Sequence, residues 1–274
     1  MAITAADVSK LRKMTGAGMM DCKNALEESS GNYEQAVEII RKRGQLVASK
    51  RADRDATEGV VIAKASEKGN LGAMIVLNCE TDFVAKNSDY VKFARDILDL
   101  AMQHKPADLA ALKNLPFGDR SIGDRVTEQV GIIGEKLDLS FYAKIEAAQV
   151  VPYIHPGNRL ATLVGMNKIV DVKVGKDIAM QVAAMSPVAV DKADVTPDVI
   201  QKEKEIGREQ ARIEGKPENM LDKIAEGKLN KFFKESTLLN QDFTKDSSKT
   251  IRQYLQSIDK DLTVTGFVRY TLNQ

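Results

Sequence analysis

The sequence predicts an α+β fold, and three observations predict it. The spacing of apolar residues switches along the chain between the helical three-to-four and the strand-like two. A stretch beginning at Gly69 returns in outline at Gly157. Between residues 186 and 235 a highly charged segment has the pattern of two helices joined by a tight turn. A chain of 274 residues accommodates one large domain or a few small ones.

Residues 1–55 read as an N-terminal helical module with its linker. Thr4 can cap a helix carrying Val8, Leu11 and Met14 on one stripe, and Thr15-Gly16-Ala17-Gly18 breaks it. A second helix runs from about Met19 to Glu28 and ends at Ser29-Ser30-Gly31-Asn32. A third, with Tyr33, Ala36, Val37 and Ile40 on one face, reaches about Arg43. So short a stretch barely buries a core alone, which makes it a recognition module attached to something larger. Methionine both fills cores and serves adaptable binding surfaces, so one of Met19 and Met20 is expected to be exposed. The basic residues between Arg41 and Arg54 alternate with Asp53 and Asp55, as on a solvated linker helix.

Residues 56–140 form a first lobe. Val60–Ala63 and Leu71–Leu77 are strands around a turn at Glu67–Asn70. A helix capped by Ser88 follows, with Val91, Ala94, Ile97, Leu98 and Ala101 on one stripe, and it has ended by Pro106. Residues 105–120 are a loop or short helical turns, and Ile122, Val126, Val130, Ile133 and Leu137 mark another helix. Residues 141–185 begin a second lobe: Phe141, Ala143, Ile145 and Ala147 alternate as a strand does, and Gly157–Met166 matches Gly69–Asn78. The lobe is completed by 236–274, with a helix at Ile251, Leu255 and Ile258 and a half-buried strand at Val264, Val268, Tyr270 and Leu272. Residues 186–235 are the inserted hairpin. Val199, Ile206 and Ile213 recur at seven, Gly215-Lys216-Pro217 turns the chain, and Met220, Leu221 and Ile224 return. A seam this thin packs either on its own domain or on another chain.

One connection stands apart. Between the strand ending at Leu77 and the helix near Ser88 lies Thr81-Asp82-Phe83-Val84, a carboxylate beside a large ring. Two readings are open: Thr81 or Asp82 caps the next helix while Phe83 turns into the core, or the segment works on something outside the chain. The second lobe has no counterpart, which weighs toward function.

Composition excludes several classes. Forty basic residues nearly cancel 39 acidic ones, giving no general attraction to nucleic acid or membrane. With no tryptophan and 5% aromatic residues, the chain is poorly equipped to stack on bases. No apolar run approaches the roughly 18 residues of a membrane span. Charged Asp7, Lys10, Arg12 and Lys13 stand where a secretion signal has its apolar core, so the expected location is cytoplasmic. Cys22 and Cys79 are isolated and read as reduced and buried. The two histidines, His104 and His155, have no metal-ligand spacing, and neither a phosphate-binding loop nor a dinucleotide fingerprint is present. No catalytic residue, metal site or cofactor is therefore expected, and a protein–protein interaction module is the better class.

Two stretches carry a family resemblance. Leu11-Arg12-Lys13-Met14-Thr15-Gly16-Ala17-Gly18-Met19-Met20-Asp21-Cys22-Lys23-Asn24-Ala25-Leu26 and Leu77-Asn78-Cys79-Glu80-Thr81-Asp82-Phe83-Val84-Ala85-Lys86 resemble signatures of the bacterial elongation factor Ts family. The likeness extends over essentially the whole chain, through Gly215-Lys216-Pro217, Ser248-Lys249-Thr250 and Val264-Thr265-Gly266-Phe267-Val268-Arg269. It implies a guanine-nucleotide exchange factor for elongation factor Tu, one that binds the GDP form, promotes GDP release and is displaced when GTP binds. It implies a UBA-like N-terminal module touching the partner through Arg12, Met19 and Met20. The motif Thr81, Asp82, Phe83 and Val84 would be the wedge that disturbs the partner's magnesium site, with His155 a contact of the second lobe. The hairpin would be the family's coiled-coil arm, through which a homodimer is possible. Some family members continue into a C-terminal helical module; this chain stops at Gln274, so affinity is expected to rest on the lobes and the N-terminal module.

Overall fold

Thr4 and Asp7 cap one another's backbone to start α1 (Ala5–Thr15), and Gly16, in the left-handed conformation, stops it. The computed structural model describes residues 3–272. Helices α2 (Met19–Glu28) and α3 (Tyr33–Arg51) complete a small bundle around Val8, Leu11, Cys22, Ala25, Leu26 and Ala36. Met14, expected on the inner stripe, is exposed. The third helix does not stop near Arg43 but continues eight residues into the basic stretch. Its second half is packed, not merely solvated: Gly44 meets Gly131, and Val47 and Ala48 lie against the core of the first lobe.

Strands β1 (Glu58–Ala65) and β2 (Leu71–Cys79) form a hairpin. After the four-residue α4 (Asp82–Ala85) comes α5 (Ser88–His104), capped by Asn87, whose side chain accepts from the Asp89 and Tyr90 amides. The expected cap, Ser88, is instead the first helical residue, because the Asn87 side-chain oxygen accepts from both first-turn amides. Then follow α6 (Leu109–Lys113), a tight pair β3 (Pro116–Phe117) and β4 (Arg120–Ser121), and α7 (Ile122–Ile133) capped by Ser121. Strand β5 (Asp138–Glu146) returns beside β2, giving the order β1-β2-β5 with all neighbours antiparallel. The strand expected to open the second lobe at Phe141 therefore completes the first sheet, because its ladder partners are in β2.

The second lobe repeats this path. Strands β6 (Gln149–Ile154) and β7 (Leu160–Met166) form the hairpin and α8 (Val172–Met185) the helix. The chain then departs through α9 (Pro197–Ile213) and α10 (Leu221–Ser236). It returns as the short pair β8 (Asp242–Phe243) and β9 (Asp246–Thr250), α11 (Ile251–Ile258) and β10 (Val264–Thr271). Strand β10 joins β7, so the order β10-β7-β6 matches that of the first sheet, with the second hairpin strand central in each.

The two sheets lie face to face. Val61, Ala63, Met74 and Val76 of the first meet Val150, Ala161 and Leu163 of the second. Alternate residues Ile75, Leu77 and Cys79 point the other way, against α5 and α7. Both faces of β2 are thus covered, which is why Leu71–Leu77 reads as an unbroken apolar run.

The hairpin corrects the sequence reading of its seam. Val199, Ile206 and Ile213 are all exposed, Ile213 by 78%. The buried positions are Gly207 and Ala211 facing Leu221, Ala225 and Leu229. A Cβ on Gly207 would stand 3.2 Å from the Ala225 Cα, so the helices approach at small residues rather than through a heptad of large ones. At the base the outgoing and returning chains are stitched together. Val188 donates its amide to the Ser236 carbonyl, and Leu238 and Leu239 donate to Ala189 and Val190.

Candidate functional site

The turn after β2 is built from the core outward. Cys79, the last strand residue, is buried, and burial pushes its thiol up to about 11, so it is protonated and inert. Cys22 is buried as well. Tyr90 of α5 donates its hydroxyl to the Leu77 carbonyl at 2.7 Å, tying helix to strand end. Opposite, β5 bulges between the partners of Val76 and Leu77, and Ser140 there donates to the buried Asn78.

The capping reading of the turn holds in part and its core reading of Phe83 does not. Thr81 does cap, but it caps α4, accepting weakly from the Val84 amide at 3.4 Å. Val84 packs against the core of the first lobe. Phe83 does not turn inward: it is 83% exposed, a bare ring in water. Asp82 is half-buried beside Lys86, whose ammonium donates to it at 2.6 Å and holds its carboxyl below the usual range.

Charged residues that the sequence reading left on the surface brace this turn. Glu135, just past α7, accepts from the Thr81 amide at 3.0 Å and from its hydroxyl at 2.6 Å. Glu80 accepts from the Lys136 amide at 2.6 Å, from Arg51 at 2.8 Å and from Arg54 at 3.0 Å. The Lys136 amide hydrogen bond, with the two arginines, holds the Glu80 carboxyl down at about 2. The Lys136 ammonium bonds the Ala52 and Arg54 carbonyls at 2.7 and 2.8 Å. These partners lie 26 to 84 residues apart in sequence, so only tertiary structure brings them together.

Of the residues singled out in the N-terminal helices, Arg12 sits in the last turn of α1 and is exposed. Met19 and Met20 open α2 and are 60% and 65% exposed: both face solvent, where one was expected to. The intervening Gly16 lies beside Ile132 of α7, three residues before Glu135. One helix thus touches both the N-terminal turn and the brace of Thr81.

His155 is exposed in the turn between β6 and β7, with its Nδ1 2.9 Å from the Tyr153 hydroxyl. That turn is joined to the first lobe. The Asn158 carbonyl accepts from the Val61 amide at 2.7 Å, and Arg159 pairs with Glu58, which stands opposite Cys79 in the sheet register. His155 and Phe83 are therefore carried by the same end of the first sheet.

Among the described residues no group of three or more His, Cys, Asp or Glu side chains is arranged to hold a metal ion. Among the described residues no helix is long and apolar enough to cross a membrane. What the site offers is an apolar projection next to an ionised carboxylate on a rigid mount.

Comparison with known proteins bears on what such a projection serves. A family model described as "Elongation factor TS" matches residues 80–274, beginning at Glu80 itself. The protein named elongation factor Ts from Porphyromonas gingivalis is 52% identical over 274 residues, covering 100% of this chain and 99% of its own. That of Azobacteroides pseudotrichonymphae is 49% identical with the same coverage. That of Bacteroides fragilis is 41% identical, with 99% of each chain covered.

Proposed function

This chain belongs to the elongation factor Ts family and so serves translation elongation, and from that premise we propose that it is the guanine-nucleotide exchange factor of elongation factor Tu. It binds the GDP form, promotes GDP release and is displaced when GTP binds. The observation that carries this reading is the exposed ring of Phe83 on its braced turn. A ring left in water on a turn held by hydrogen bonds is available to another protein's surface.

The mechanism needs binding energy and no catalytic group. A factor that binds the nucleotide-free partner more tightly than the GDP-bound partner weakens GDP by the same factor, each tenfold corresponding to about 1.4 kcal/mol. Phe83 enters the packing near the partner's magnesium and pushes it apart. Asp82 competes electrostatically for groups around the ion. Bound magnesium neutralises diphosphate charge, so loosening it frees both. Thr81 and Val84 hold the wedge, one by capping and one by anchoring in the core.

Residues 1–55 serve as a UBA-like module that docks on the partner through Arg12, Met19 and Met20. Residues 56–146 are the lobe of the wedge, because β5 pairs with β2, and 149–185 with 236–274 the lobe that presents His155. Residues 186–235 are the coiled-coil arm, and its exposed Val199, Ile206 and Ile213 are the surface on which a homodimer would form. The protein works in the cytoplasm on a protein partner, without cofactor, membrane or direct nucleic-acid contact.

The test is release of a fluorescent GDP analogue from purified elongation factor Tu. Acceleration by this protein is expected. Binding without acceleration at saturation would leave an adaptor and overturn the exchange reading.

A further inference from the structure

We propose that Glu135 is a positioning residue for the wedge, holding Thr81 so that Asp82 and Phe83 point outward. This rests on the exchange reading above. Helix α4 has four residues, too few to hold a conformation unaided, and Phe83 has no packing of its own. Something outside the turn must fix it.

The geometry assigns that task. A threonine hydroxyl has one hydrogen and two lone pairs. With its hydrogen committed to Glu135 at 2.6 Å, the Thr81 hydroxyl turns its lone pairs toward the Val84 amide and caps α4. The second carboxylate oxygen takes the Thr81 amide at 3.0 Å, fixing the backbone at the same residue. Two points of attachment set an orientation where one sets only a distance. Glu135 is itself mounted firmly. The adjacent Lys136 is held through its amide by Glu80 and through its ammonium by the Ala52 and Arg54 carbonyls.

A glutamine at this position can keep both contacts, its oxygen accepting from the Thr81 amide and its NH2 donating to the hydroxyl, which retains a second lone pair for the Val84 amide. An alanine can reproduce neither. This separates positioning from charge.

The experiment measures GDP release from elongation factor Tu against concentration of the wild type, Glu135→Ala, Glu135→Gln, Phe83→Ala and the double variant Phe83→Ala/Glu135→Ala. For Glu135→Ala the maximal release rate is expected to fall about tenfold, with the half-saturating concentration changed less than about twofold. Glu135→Gln should restore most of the rate, and the double variant should be no slower than Phe83→Ala alone. A wild-type rate for Glu135→Ala, or an effect that multiplies with that of Phe83→Ala, overturns the proposal. If Phe83→Ala itself releases GDP at the wild-type rate, the wedge reading fails instead. Amide exchange in the free protein decides positioning independently: protection at Thr81 and Val84 should be lost in Glu135→Ala and kept in Glu135→Gln. Unchanged protection in Glu135→Ala would also overturn it.

Discussion

Gly44 of α3 and Gly131 of α7 cross with no side chain between them, and the contact is asymmetric. A Cβ on Gly131 would fall inside the contact distance of the Gly44 Cα, whereas a Cβ on Gly44 would stand 3.5 Å from the Gly131 Cα, an ordinary contact. Each Gly→Ala change gains about 1 kcal/mol of helix propensity. Only Gly131→Ala adds overpacking, which costs about 1–3 kcal/mol. Thermal unfolding should find Gly44→Ala neutral or stabilised and Gly131→Ala lower by about 1–3 kcal/mol relative to it. Equal effects would show that the helices shift freely against one another.

Phe83→Ala removes a ring that touches little of its own protein. Stability should stay within about 0.5 kcal/mol of wild type, while GDP release from elongation factor Tu slows about tenfold or more. Calorimetry and the fluorescent-nucleotide assay check the two halves separately. A large loss of stability would return Phe83 to the core.

Acid should dissolve the clamp around Glu80. Its carboxyl sits at about 2, below the ordinary 4.5, because the ionised form is bonded by the Lys136 amide and two arginines. A depressed value means the stabilisation is fully present above pH 4.5 and is lost as pH falls toward 2. Glu80→Gln should melt lower than wild type at neutral pH, and the gap should close on acidification through this window. A gap independent of pH would assign the loss to packing rather than charge.

In the arm, Gly207→Leu should matter and Ile213→Ser should not. The former places a side chain where a Cβ already stands 3.2 Å from Ala225; the latter alters a residue that is 78% exposed. Hydrogen exchange across α9 and α10 should rise for Gly207→Leu and stay level for Ile213→Ser. A heptad seam would give the reverse order.

Much of the fold was legible because its signals are local. Thr4 and Gly16 mark the ends of α1 in four and one residues, and β2 announces itself through apolar residues on both faces. The repeat at Gly69 and Gly157 anticipated two related lobes, whose sheets share a strand order that only the folded chain reveals. The candidate wedge was visible as an aromatic in a turn, but its support was not. Glu80, Glu135, Lys136, Arg51 and Arg54 look like any solvated charges until the chain folds, since no spacing rule links residues so far apart. The arm's seam escaped for a different reason: Gly207, Ala211 and Ala225 carry too little apolar surface to register as a stripe, yet small size is what lets helices approach. Gly44 and Gly131 were hidden in the same way.

The stitched base of the arm gives the molecule a modular joint. Since Val188 bonds Ser236, and Ala189 and Val190 bond Leu238 and Leu239, the chain leaves the second lobe and re-enters it about one strand spacing apart, roughly 5 Å. To the sheet that receives β10, everything beyond that joint is a closed excursion. Helices α9 and α10 can lengthen, shorten or be traded for another hairpin while the strands below keep their register. The arm is a cassette: its sequence is free to follow whatever it touches, and the lobe need not follow it.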